Sequence, residues 1–195
     1  MRKLIIFFLL GCNLTFSQHS ESDVINYQKE LKEFYLNKET TPLKEDELES
    51  FKGIHFYPFS EQYIVTAKVE YLKNEPTFLM ATTGTRQQEY KRYAILHFKL
   101  KGKKYKLEVY QNLSLIKNPL YKDHLFLPFL DDTNGKTTGD VGRYIDIKIP
   151  EKSKKVTLNF NLAYHPYCAY THGYSCPITP FVNLIPVPVE AGVRF

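Results

Sequence analysis

Apolar and polar positions change their period once along the chain. From Asp23 to Asn37, Val24, Tyr27, Leu31, Phe34 and Tyr35 fall on one stripe, while Lys29, Glu30, Lys32 and Glu33 lie largely off it. That spacing predicts an amphipathic helix with Ser22 as its N-cap. Thr41-Pro42 predicts a second, short helix reaching about Phe51, with Glu45, Asp46 and Glu47 near its positive end and Gly53 closing it. Beyond Gly53 the period falls to two. Strands are expected at Tyr63 to Val69, Phe78 to Thr82, Tyr90 to Leu100, Tyr105 to Gln111, Leu125 to Leu130, Arg143 to Ile149 and Val156 to Ala163. Phe98, Leu100, Leu107 and Val109 are expected on one face of a hairpin, with Lys99, Lys101, Lys104 and Lys106 on its polar side and turn around Gly102. Asn134-Gly135 marks a turn and Pro150 a strand end. From His165 to Pro188 the chain is rich in proline and aromatic residues and follows neither period.

The expected fold is mainly β (α+β): an antiparallel half-closed barrel or sandwich-like sheet with one or two N-terminal helices packed on it. No repeat or linker divides the chain, so residues 18–195 are expected to form one domain. The first residues read differently. A basic start (Arg2, Lys3) and an apolar run from Leu4 to Gly11 match a secretion signal over residues 1–17, cleaved after Ser17. Leu9-Leu10-Gly11-Cys12 offers the alternative of a lipoprotein anchored through Cys12. No later stretch has the roughly 20 apolar residues of a membrane span. The expected setting is therefore exported: bacterial, periplasmic or extracellular.

Composition adds little to the functional picture. The net charge is +5, and loss of Arg2 and Lys3 with the signal lowers it by two, too mild a charge to call for a nucleic-acid partner. Aromatics make up 15% of the chain, all Tyr and Phe, which suits half-buried strand positions.

The C-terminal half carries a recognisable pattern. Phe129-Leu130-Asp131-Asp132-Thr133-Asn134-Gly135 precedes Gly142-Arg143-Tyr144-Ile145-Asp146, followed by Asn159-Phe160-Asn161, Ala163-Tyr164, Pro166, Cys168-Ala169-Tyr170, Cys176-Pro177 and Asn183-Leu184. Thr41-Pro42-Leu43, Phe51-Lys52-Gly53 and Tyr90-Lys91-Arg92-Tyr93 fit as well. Over roughly residues 25–195 the chain resembles the bacterial and archaeal family catalogued as domain of unknown function 1684. The resemblance brings no activity with it. It does mark two departures: His165 stands where members usually carry Asn, and Val182 stands where they carry an acidic residue before Asn183.

Cys168 and Cys176 are the cysteines left after signal removal, and a disulfide is the simplest expectation for such a pair in an exported protein. Two readings compete with it. Cys168, His172 and Cys176, with His165 as a fourth ligand, supply the donor types of a Zn²⁺ site. Alternatively, one cysteine is a nucleophile beside His165 or His172. Arg143, at a strand start after a polar turn, either anchors a ligand's carboxylate or phosphate, or braces Asp146 or the preceding loop. Asp131, Asp132, Asn134 and Asp140 are rich in oxygen but lack EF-hand spacing, and read as a solvated turn.

These readings lead to a non-catalytic domain that binds a small molecule without a cofactor. Its pocket is expected where the tail, Tyr164 to Asn183, folds over the sheet end bearing Arg143 and Tyr144. Arg143, Tyr144, Tyr164, Tyr170 and Asn183 are the expected binding residues. The rivals are a hydrolase using a cysteine or metal centre, and a structural envelope protein.

Overall fold

A computed structural model describes residues 20–195. The expected signal over residues 1–17 and the alternative anchor Cys12 lie outside the described residues.

Helix α1 spans Glu21–Leu36. It starts two residues before the sequence reading because Ser20, not Ser22, forms a capping box. The Asp23 amide donates to Ser20 Oγ (3.3 Å), and the Ser20 amide donates to the Asp23 carboxylate (2.8 Å). Ser22 has Ile25 three residues on and cannot complete such a box. Helix α2 is a single turn, Glu45–Leu48, rather than the expected run from Thr41 to Phe51. Thr41 Oγ1 accepts from the Leu43 amide (3.2 Å), holding Pro42 and Leu43 in a turn, and the helix begins only where Glu47 accepts from the Lys44 amide (2.9 Å).

Ten strands follow: β1 (His55–Phe56), β2 (Ile64–Tyr71), β3 (Thr77–Leu79), β4 (Glu89–Leu100), β5 (Lys103–Asn112), β6 (Leu125–Asp131), β7 (Arg143–Ile147), β8 (Lys155–Asn159), β9 (Leu184–Ile185) and β10 (Val193–Arg194). The main sheet runs β7-β6-β5-β4-β2-β8, all antiparallel, with β3 added beside β4 and β9 parallel to β6. It curls into a half-barrel, and β1 pairs with β10 separately. The β4–β5 hairpin turns at Lys101 and Gly102, both at positive φ (48° and 78°), the geometry of a two-residue turn that matches strand twist. As the alternation implied, Phe98, Leu100, Leu107 and Val109 are buried, and the four lysines are exposed.

Strand β8 stops at Asn159, four residues before the expected end at Ala163. Asn159 Oδ1 accepts from the Asn161 amide (3.0 Å) and turns the chain, while the Asn161 carboxamide brackets the Ser60 amide and carbonyl (3.1 and 3.0 Å). The continued alternation through Phe160 and Leu162 belongs to a 3-10 turn.

Strand β6 is buried on both faces. Leu125, Leu127 and Phe129 join the main core with Leu96, Phe98 and Leu158, while Phe126 packs on the opposite side with Met80, Tyr90, Tyr110 and Tyr144. The tail crosses the β7 edge: Tyr144 and Tyr164 exchange backbone hydrogen bonds (2.9 and 3.0 Å). Among the described residues no helix is long and apolar enough to cross a membrane.

Candidate functional site

Arg143 opens β7 with no exposed surface. Its guanidinium donates to the Ala191, Val189 and Val193 carbonyls (2.5, 2.7 and 3.3 Å) and to Asp131 Oδ2 (3.2 Å), and it lies 5.0 Å from the Phe129 ring centre. Asp131 also accepts from the Val189 amide (2.6 Å) and from Thr133 Oγ1 (2.7 Å). Burial lowers the Arg143 pKa, and the neighbouring Asp131 carboxylate works against that shift. Arg143 therefore ties the loop before β7 to the C-terminal segment. It lines neither of the two cavities described below. The Asp131 carboxylate is committed to this network, and Asn134 is tied into the same turn through the Asp131 amide (2.7 Å) and the Gly139 carbonyl (2.6 Å).

Asn183 is fully buried as well. Its carboxamide accepts from the Glu108 amide (2.7 Å) and donates to the Glu108 and Pro128 carbonyls (2.8 and 2.7 Å). Pro128 has no N–H for the ladder between β5 and β6, and the Asn183 amide group takes its place. Tyr170 packs with Tyr35 and Phe51, and its hydroxyl meets His165 Nδ1 at 2.8 Å. Three of the five expected binding residues, Arg143, Tyr170 and Asn183, thus make their contacts within the scaffold and line neither described cavity.

Tyr144 and Tyr164 do line a cavity. It measures about 610 Å³ and lies among α1, the sheet and the tail. Tyr27 and Phe34 come from α1, Tyr90, Phe126 and Tyr144 from the sheet, and Tyr164 from the tail. Tyr90, Phe126, Tyr144 and Tyr164 form a continuous chain of ring contacts, with centroids 5.8, 4.8 and 5.8 Å apart. On the tail side, Tyr167 stacks on Phe34 (6.3 Å) and meets Tyr174 edge-on (5.1 Å).

The polar part of the cavity is small. Asp146 Oδ1 accepts from the Tyr164 hydroxyl (3.0 Å) and lies 3.0 Å from His124 Nε2. His124 Nδ1 is buried without a hydrogen-bond partner among the described residues. Burial, then the nearby Asp146 carboxylate, pushes the Tyr27 and Tyr164 hydroxyls well above the ordinary phenol range, so both stay protonated. Arg86 lines the same cavity with an exposed side chain. The sequence reading missed Tyr27, Tyr90, His124, Phe126 and Asp146. For Asp146 a signal existed: it lies two residues from Tyr144, on the same face of β7.

Cys168 and Cys176 form a disulfide, with Cα atoms 6.4 Å apart. Bonded to each other, the sulfurs are neither thiolate ligands nor nucleophiles, which removes the zinc and thiol-enzyme readings for this state. Both ring nitrogens of His165 are also engaged: Nε2 accepts from the Gly139 amide (3.1 Å) and Nδ1 meets Tyr170. His172 is exposed and lines a second cavity of about 580 Å³, with Lys136, Asp140 and Cys168. Among the described residues no group of three or more His, Cys, Asp or Glu side chains is placed to hold a metal ion.

No curated protein matches the sequence. A solved structure does: the uncharacterised protein from gene locus rrnAC0354 of Haloarcula marismortui, determined by solution NMR, with 28% identity and a TM-score of 0.69. The match covers 90% of this chain and 94% of that one. The family model described as protein of unknown function (DUF1684) matches residues 49–194, a stretch that begins after α1 and takes in the Arg143 network, the Asn183 bracket and the disulfide. The chain belongs to that family.

Proposed function

We propose that this protein is an exported, non-catalytic binding domain that takes a small molecule into the cavity among α1, β7 and the tail. One observation carries the reading: a volume of about 610 Å³ walled by aromatic rings, with a single carboxylate–imidazole pair in its wall. Small-molecule sites commonly have this make-up, apolar walls giving affinity and a few polar groups fixing orientation. The hydrolase alternative loses its thiol to the disulfide, and the His124–Asp146 pair has no hydroxyl or thiol bonded to the imidazole among the described residues. A purely structural envelope role does not call for an open aromatic cavity. The mild positive charge favours a small molecule over nucleic acid.

The test is a metabolite screen read by amide chemical shifts of the labelled protein. Shifts confined to Tyr144, Asp146 and Tyr164 are expected for at least one compound. A screen in which every perturbation falls elsewhere, or none occurs, would overturn the reading. Export is tested separately by mass spectrometry of the mature N-terminus. Gln18 as the first residue is expected, and a lipidated Cys12 would replace release with anchoring.

A further inference from the structure

The cavity's chemistry is narrower than that of a general apolar pocket. It combines an aromatic wall with a carboxylate that retains an open oxygen among the described residues. Asp146 uses Oδ1 for both Tyr164 and His124; Oδ2 has no hydrogen bond among the described residues, and the side chain is about half exposed. Tyr27 and Tyr164 remain neutral phenols beside it, so Asp146 is the only carboxylate among the lining residues. A purely apolar guest would cover Oδ2 without offering it a partner. An anionic guest would be repelled by it. A guest carrying a bulky organic cation would satisfy the carboxylate and place its charge among the rings of Tyr90, Tyr144 and Tyr164.

We infer that the cavity binds an alkylated ammonium group, caged by the aromatic wall and neutralised by Asp146. This rests on the proposed binding function and names the ligand class for the same site. Arg86 refines it. Its backbone amide is tied to Ser175 Oγ (3.1 Å), the residue lines the cavity, and its exposed side chain makes no ion pair among the described residues. It repels a bare cation but suits a carboxylate or phosphate on the same ligand, so a zwitterion is the best fit.

The experiment compares three probes on the purified protein by calorimetry and amide shifts: choline, glycine betaine, and 3,3-dimethylbutan-1-ol, the neutral isostere of choline. Cation–π and carboxylate contacts together should favour the better charged probe by at least about tenfold over the neutral one. Betaine is expected to exceed choline, and Arg86→Gln should remove that difference. Asp146→Asn keeps an acceptor for Tyr164 and His124, so the fold should persist while discrimination against the alcohol collapses. Equal or tighter binding of the neutral alcohol would overturn the ligand class yet leave the binding cavity standing. Absence of binding by all three at millimolar concentration would also overturn the class, and the wider screen then decides the cavity itself.

Discussion

Arg143 and Tyr144 are adjacent in sequence and serve opposite faces of one strand. A strand's period of two sends Tyr144 and Asp146 to the cavity and Arg143 and Ile145 to the core. The expectation that Arg143 and Tyr144 build one pocket conflicted with that rule, and the rule, applied to Tyr144, would have found Asp146. Arg143→Met should destabilise the protein by about 3–5 kcal/mol in urea unfolding, because Asp131 is left buried without its partner. A variant of wild-type stability that lost a ligand would instead return Arg143 to the site. His165 leads to a pH prediction. Burial first, then the Arg143 charge, pulls its pKa down to about 3, so the folded protein keeps it neutral. The unfolded chain protonates it near its ordinary value of about 6.5. Between those values the unfolded state binds the extra proton, so stability falls as pH drops, with a limiting slope of about 1.4 kcal/mol per pH unit. His165→Gln should flatten the loss of stability between pH 6.5 and 5 in thermal melts; an unchanged slope would show that other groups carry it.

Element boundaries went astray where a short polar side chain competed with the periodic pattern. Ser20, Thr41 and Asn159 each bond to a backbone amide two or three residues on, and these contacts set the start of α1, delay α2 and end β8. Seven of the ten strands were legible from period two or from a continuous apolar run, as in β6; the two-residue strands β1, β9 and β10 are too short to show a period and were not expected. The Asn183 bracket was not legible, since the partners it joins, Glu108 and Pro128, are far away in sequence. Its role is to close a gap in the sheet: β5 and β6 pair at one register position, Tyr110 with Phe126, and the carboxamide supplies bonds that Pro128 cannot. Three bonds at about 1 kcal/mol each set the scale for Asn183→Ala, expected to cost about 3 kcal/mol. Hydrogen exchange locates the effect: the Glu108 amide should lose protection selectively, while its neighbours in the β4–β5 hairpin keep theirs. Uniform loss of protection would mean that the residue supports the whole sheet rather than this junction.

At the scale of the whole molecule, the loop closed by Cys168 and Cys176 contributes to both cavities. Cys168 and His172 line the smaller one, Cys176 and Pro177 the larger, and Tyr174 both. Outside the sheet, the loop is held by Thr83, whose amide donates to the Cys176 carbonyl (2.9 Å) and whose hydroxyl accepts from the Cys176 amide (3.1 Å) and donates to Cys168 Sγ (3.5 Å), and by the tail bridge at Tyr144 and Tyr164. The half-barrel has its own extensive ladder and core, so the disulfide acts mainly on the walls. Loop-closure entropy for so short a ring gives about 2.5 kcal/mol, less than the 5–15 kcal/mol typical of a folded domain. Reduction should therefore lower the urea midpoint without unfolding the protein. Hydrogen exchange should rise across residues 168–177 and at the Tyr144 and Tyr164 amides, while β4 and β5 remain protected. A Cys168→Ser/Cys176→Ser double variant should reproduce that pattern, which separates loss of the bond from any side effect of the reductant. Global unfolding in either experiment would mean that the disulfide holds the fold itself, and no change at Tyr144 and Tyr164 would mean that the loop does not support the cavity wall.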